Sequence, residues 1–250
     1  MHPQLRGWVD VQRTQQANLR LGTTLCFVAG ATNAGGFLAV GQYTSHMTGI
    51  VSSVADELAL GNWFLAAAGV GALLAFLLGA MTTAWLVNWG LRRHMASAFG
   101  LPLLIEAGAL LVFGLFGAVI NLWVKLFVPL TVLWLCYIMG LQNAVITKIS
   151  RAEIRTTHLT GLITDLGIEL GKLLYINRHP SAAPVRANTE KLRLQSRLIG
   201  AFFLGAVAGA LGFKHLGYIT TLPLAVLLLL LIWRPLFHDL LAASARKSIR

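Results

Sequence analysis

Six long apolar runs constrain this chain more than any other feature. They fall at about 21–42, 62–90, 101–121, 125–147, 197–214 and 216–234. Each comes close to the roughly 20 residues that an α-helix needs to cross the hydrocarbon of a bilayer. Charge is sparse, 12% of residues against 56% hydrophobic, so a soluble chain of 250 residues could not hide its apolar surface. The same figures exclude a disordered chain. The first run follows twenty polar residues, too long a lead for a cleaved signal, and is expected as a retained signal-anchor helix.

The formal net charge of +11 would suit a nucleic-acid binder, but its distribution follows membrane topology instead. With the N-terminus in the cytoplasm, 18 of the 20 Lys and Arg residues fall on the cytoplasmic side, and only Lys125 and Lys214 fall outside. The 43–61 connection carries Asp56 and Glu57 and no basic residue. The positive-inside rule therefore predicts an integral membrane protein with both termini cytoplasmic, and no nucleic-acid partner. The expected partners are the lipid bilayer, a small polar solute or ion, and a second copy in a homodimer. Loop 176–197 is the main soluble excursion, a solvated connection whose basic residues could also rest on anionic headgroups. Cys26 and Cys136 lie inside apolar runs, which argues against a structural disulfide.

The chain repeats itself. At an offset of 110, LCFVAGATNA (Leu25 to Ala34) falls on LCYIMGLQNA (Leu135 to Ala144), matching Cys26 with Cys136, Gly30 with Gly140 and Asn33 with Asn143. After a two-residue insertion, TSHMTGIVSSVADELALG (Thr44 to Gly61) falls on TTHLTGLITDLGIELG (Thr156 to Gly171), matching His46 with His158 and Glu57 with Glu169. Three spans per half is an odd number, so the second half enters from the opposite face. The expected fold is an all-α integral membrane protein of six transmembrane helices in two inverted three-helix repeats. Each repeat has a broken or re-entrant half-helix after its first span, at 44–60 and 156–175. The expected organisation is a cytoplasmic segment 1–20, repeat 1 over 21–121, repeat 2 over 125–236 and a cytoplasmic tail 237–250.

GATNAGGFLAVGQYTSHMTG in the first half and GLQNAVITKISRAEIRTTHLTGLITDLG in the second resemble the YoaK family of bacterial multi-pass membrane proteins. The resemblance extends over about residues 20–235. It implies a six-span inner-membrane protein with no established substrate or activity. The family motif carries Asp where this chain has Asn33, and Met-Thr-Gly-Asn where it reads Met47-Thr48-Gly49-Ile50. A role for charge at the first position is therefore in doubt here.

Polar groups in hydrocarbon are costly, which makes them functional candidates. Asn33 and Asn143, with Gln142, could face one another and hold a polar solute through amide donors and acceptors, or simply bond neighbouring helices. Thr48-Gly49 and Thr160-Gly161 mark the helix breaks that accompany binding sites in inverted-repeat transporters. Thr44 and Thr156 or Thr157 are expected to cap the helices that follow. His46 and His158 at those starts are candidates for proton coupling, or ordinary interfacial residues. Glu106 is the one acid within a predicted span. It is a candidate proton carrier if buried, and a bystander if its side chain reaches up to the cytoplasmic face. Asp165 and Glu169 share one helix face and should pair with Lys172 or Arg155.

No zinc, nucleophile-elbow or phosphate-loop motif is present, so no catalytic residue, metal ligand or cofactor is assigned and the chain is not read as an enzyme. The leading expectation is a small secondary transporter or channel-like protein. The alternative is a membrane scaffold or partner subunit docking through its basic cytoplasmic loop. A third class, an intramembrane enzyme acting on lipid or quinone, would need Glu106 or a His as its acid–base.

Overall fold

The computed structural model describes residue 9 and residues 14–120, 124–150, 156–178 and 183–248. Among the described residues every regular element is helical. The order is α1 Gln15–Val40, α2 Met47–Ala59, α3 Trp63–Arg92, α4 Gly100–Ile120, α5 Val124–Ile149, α6 Leu159–Leu174, α7 Thr189–Leu216 and α8 Thr221–Ser248. Each predicted span coincides with a long helix, and the two predicted half-helices are α2 and α6.

Gln16–Val40, Trp63–Arg92, Pro129–Ile149 and the run Thr189–Leu241 are long and apolar enough to cross a membrane. The last would be about 80 Å long if straight. Gly217, at φ +63°, folds it instead into α7 and α8 through a short 3-10 turn at Gly217–Thr220. A positive φ of this kind suits a residue without a Cβ. Large apolar side chains face outwards on these helices, among them Trp85 at 67% exposure, Phe203 at 64% and Leu230 at 69%. That surface suits lipid and not water.

Small residues decide which helices touch. A Cβ on Gly30 of α1 would run into the Phe202 carbonyl of α7, and one on Gly205 of α7 into the Phe27 carbonyl of α1. The pair α3–α5 repeats the arrangement, with Gly79 against the Tyr137 carbonyl and Gly140 against that of Phe76. Backbones can approach this closely only where the Cβ is missing, the usual way that membrane helices gain packing. The matched glycines Gly30 and Gly140 thus play the same part in two different helix pairs.

The contacts also give the running directions. Phe27 with Gly205 and Ala31 with Gly209 advance together, so α1 and α7 are parallel. Tyr137 with Gly79 and Leu141 with Thr83 make α3 and α5 parallel. Leu25 with Gln142 and Gly36 with Leu135 make α1 and α5 antiparallel. Gly100 with Ile232 and Gly114 with Thr221 do the same for α4 and α8. The half-helix α2 sets Val54 and Ile50 beside Gly69 of α3.

Three features differ from expectation. Helix α7 starts at Thr189, capped by Asn188, whose Oδ1 accepts from the Lys191 amide at 3.0 Å. Lys191, Arg193 and Arg197 therefore ride on a helix and not in the loop assigned to 176–197. The threonines do not cap α2 and α6: their N-caps are His46 and His158, without a side-chain cap bond. Thr44 is buried with its hydroxyl unpartnered, and the hydroxyls of Thr156 and Thr157 are directed to Asn143. Finally, Asp239 near the end of α8 accepts from the amides of Ala96 and Ser97 and from the Ser97 hydroxyl, at 2.6 to 2.9 Å. This carboxylate clasps the α3–α4 turn, and nothing in its local sequence announces it.

Candidate functional site

The two breaks, one after α1 and one after α5, are built alike. Helix α1 ends where Gly41 takes φ +72° and returns its amide to the Phe37 carbonyl. The chain then turns back, and Ser45 meets Asn33, seven residues short of the helix end. Asn33 Oδ1 accepts from the Ser45 amide at 3.2 Å and the Ser45 hydroxyl at 2.9 Å. On the other side Asn143 Oδ1 accepts from the Thr157 amide at 3.3 Å and from the hydroxyls of Thr156 and Thr157 at 3.1 and 2.9 Å. Its Nδ2 donates to the Met139 carbonyl at 3.1 Å. Ser45 and Thr157 are matched in the sequence repeat, so both breaks use the same tether.

This locates the asparagine pair differently from the sequence expectation. The antiparallel register of α1 and α5 offsets Asn33 from Asn143 by about five to nine residues, about 8 to 13 Å along the bundle. The amides do not face each other, and the Oδ1 of each is occupied by its own loop. Ser45 and the pair Thr156 and Thr157 are held alongside their own helices from opposite ends of the α1–α5 pair. Gln142, the neighbour of one tether, is buried: its Nε2 donates to the Leu25 carbonyl at 3.2 Å and its Oε1 has no partner. Thr32, its counterpart in the first half, is buried with its hydroxyl unpartnered. Cys26 lies against the Thr156 carbonyl at 3.8 Å, so α1 also touches the second break.

The Thr-Gly motifs have a steric reason. A Cβ on Gly49 would stand 2.7 Å from His46 Nδ1, and one on Gly161 2.6 Å from His158 Nδ1. Each imidazole therefore lies against the first turn of its half-helix, and a side chain at the glycine would have to push it aside. His46, Thr48, His158 and Thr160 are exposed, while Gly49 and Gly161 are half-buried. The structure thus separates two sets of candidates. Asn33, Gln142 and Asn143 lie inside the bundle, and the His and Thr side chains lie on the outer surfaces of the breaks. Ser45 was not singled out in the sequence, although its place two residues before Met47 in the repeat marks it.

Glu106 is buried in α4, so its side chain does not reach the surface of the bundle, and its Oε2 has no hydrogen-bond partner. Among the described residues no three His, Cys, Asp or Glu side chains gather as a metal ion would need.

Helix α6 has a clasp of its own. Lys172 Nζ meets Glu169 Oε1 at 2.8 Å and the Asn188 amide donates to Glu169 Oε2 at 2.8 Å. Lys191 Nζ meets Asp165 Oδ2 at 3.1 Å, where Gln195 Nε2 also donates at 3.2 Å. The predicted Lys172 pairing is present, while Arg155 lies outside the described residues. The Lys172 ammonium, aided by the Asn188 amide, holds the Glu169 carboxyl below the usual carboxylate range. A group depressed in this way stabilises the fold above its unfolded-state pKa, and the effect disappears as pH falls through the folded value. The protection factors of amides in 166–176, which divide out the intrinsic pH dependence of exchange, should therefore fall on acidification. Glu169→Gln should show low protection already at neutral pH and respond little to acid. An acid response equal in the two proteins would contradict the clasp.

A family model for a protein of unknown function, DUF1275, matches residues 21–233. No curated protein and no solved structure matches the chain. The match runs from within α1 through both tethered breaks to the first half of α8, and it accords with the resemblance carried by the two motifs. The chain belongs to the DUF1275 family.

Proposed function

We propose that the chain spans the bacterial inner membrane six times as two inverted three-helix repeats, both termini cytoplasmic, and works as a small secondary transporter or channel-like protein. Its cargo is a small polar solute or ion, held between the repeats near Asn33, Gln142 and Asn143. The observation that carries this reading is the pair of broken helices in corresponding places, each held alongside its own helix by the same asparagine tether. Discontinuous helices at matched positions of inverted repeats are where transporters of this architecture bind substrate and ion. The running directions support six crossings, because α1 and α7 share one direction, α3 and α5 share one, and α4 opposes α8. The unpartnered Gln142 Oε1 offers an acceptor for a cargo group at the same level.

Thermal unfolding of the purified protein against inorganic ions and small metabolites tests this. A ligand at 100 times its Kd should stabilise by about 2.7 kcal/mol. Gln142→Leu should abolish that gain while folding normally, because the Leu25 carbonyl keeps its place in helix α1. A gain kept in full by Gln142→Leu would move the site elsewhere.

The second reading, a scaffold docking through its basic cytoplasmic face, is favoured by the exposure of Arg178, Arg186, Lys191, Arg193 and Arg197 along one stretch. Loss of cellular phenotype on replacing Arg178, Arg186, Arg193 and Arg197 by Gln, with Gln142→Leu silent, would select it over transport.

A further inference from the structure

Glu106 stands out among the buried groups because nothing around it among the described residues explains an acid. Its residue is 1% exposed, its Oε2 has no hydrogen-bond partner, and no cation pairs with it among the described residues. Helix α4 packs against α8, α5, α3 and the turn at Gly217–Thr220. The antiparallel register of Gly100 with Ile232 and Gly114 with Thr221 sets Glu106 level with the aliphatic run Val226–Leu229. Arg234, further along α8, is exposed, and Asp239 is bound to the 96–97 turn. On α5 the level of Glu106 falls within Trp134–Asn143. The only ionisable groups there are the buried Cys136 thiol and Tyr137, whose hydroxyl is engaged with Thr82 at 3.3 Å. Lys148, lower on α5, donates to Asn88 Oδ1 at 3.2 Å. On α3 the level is Thr83–Val87, without charge, and Arg93 beyond it lies over the Trp89 ring at 4.5 Å. Tyr218 in the turn packs against Phe113, about two turns further along α4.

An ionised carboxylate in such surroundings would be a buried charge with no partner, which costs far more than keeping the proton. A leucine would fill the place more cheaply, so an acid here calls for a use. Intramembrane acids without a structural partner are typical of proton relays.

We infer that Glu106 is a proton-binding site inside the helix bundle and, on the transport reading above, the group through which solute movement is coupled to protons. The proton binds from water as the helices move and leaves by the same group. The carboxyl gains or loses one H⁺ and no other bond changes. The solute contacts near Gln142 and the proton site on α4 are then distinct parts of one machine.

Infrared spectroscopy of the reconstituted full-length chain at neutral pH tests this. The other eight Asp and Glu residues are outside predicted spans, so a carboxylic-acid carbonyl band is expected from Glu106 alone. It should be present in the wild type, absent from Glu106→Gln, and should move on transfer to D₂O as the proton exchanges. Glu106→Gln keeps the shape and neutrality of the acid and should fold like the wild type. No band, or one unchanged in Glu106→Gln, would overturn the proton site. A band that never shifts in D₂O would overturn the coupling role, leaving a sealed acid. None of these outcomes depends on finding a solute, so failure here is distinct from failure of the transport reading.

Discussion

Valine at Gly30 or at Gly140 is expected to remove most of the folded protein. The added Cβ would collide with a backbone carbonyl, that of Phe202 for Gly30 and that of Phe76 for Gly140. A side chain could swing aside, but a helix backbone can yield only if the whole helix moves. The cost should reach the upper end of the overpacking range, about 3 kcal/mol or more. That is a large fraction of the margin by which a typical domain is stable. The measurement is the monodisperse fraction and Tm of each variant in detergent. Gly108→Val in α4, where a Cβ meets nothing within 4 Å, serves as the control and should behave like the wild type. Because the two glycines belong to different helix pairs, equal losses at both would tie the sequence repeat to the packing.

The second large effect concerns the tethers. Asn143→Ala removes the acceptor of three hydrogen bonds and strands the buried Thr156 hydroxyl. Unsatisfied buried groups cost about 1–3 kcal/mol each, so the loop should leave the bundle even if the helices remain. Hydrogen exchange over 156–162 should rise by one to two orders of magnitude, since about 1.4 kcal/mol corresponds to a factor of ten. Asn143→Asp keeps the acceptor and should retain most of the protection. Asn33→Ala should do the same to 44–50 with a smaller effect, because only Ser45 is held there. Equal exchange in Asn143→Ala and the wild type would show that the loop is held by packing alone.

These tethers illustrate how far the sequence could be read. The long helices were legible because apolar runs of about 20 residues leave little choice of element, and the half-helices because the Thr-Gly motif and polar content interrupt the pattern at matched places. Asn33 and Asn143 were recognisable as special from the repeat alone. Their job was not. An amide can bind a solute or a neighbouring loop equally well, and the choice depends on where the chain turns after Val40 and Ile149, which periodicity does not encode. The early start of α7 carries a local signal, Asn188 followed by Thr189 and Glu190, that was outweighed by the polar composition of the stretch. Asp239 lay beyond reach, since its partners at 96–97 are about 140 residues away in the chain. The seat of each histidine on its glycine is a three-residue spacing, visible once the helix starts at His46 and His158 are known.

The claim on which the rest depends is that the two halves are inverted, so that α2 and α6 end on opposite faces of the membrane. Leu60 at the end of α2 and Ile176 just after α6 are 73% and 67% exposed, and both native cysteines are buried. Single cysteines at Leu60 and Ile176 can therefore be probed in the otherwise native chain with a membrane-impermeant maleimide on intact inner-membrane-bounded cells. Leu60→Cys should label directly, and Ile176→Cys only after the membrane is permeabilised. Labelling of both from the same side would contradict the inverted repeat and, with it, the transport site between the halves.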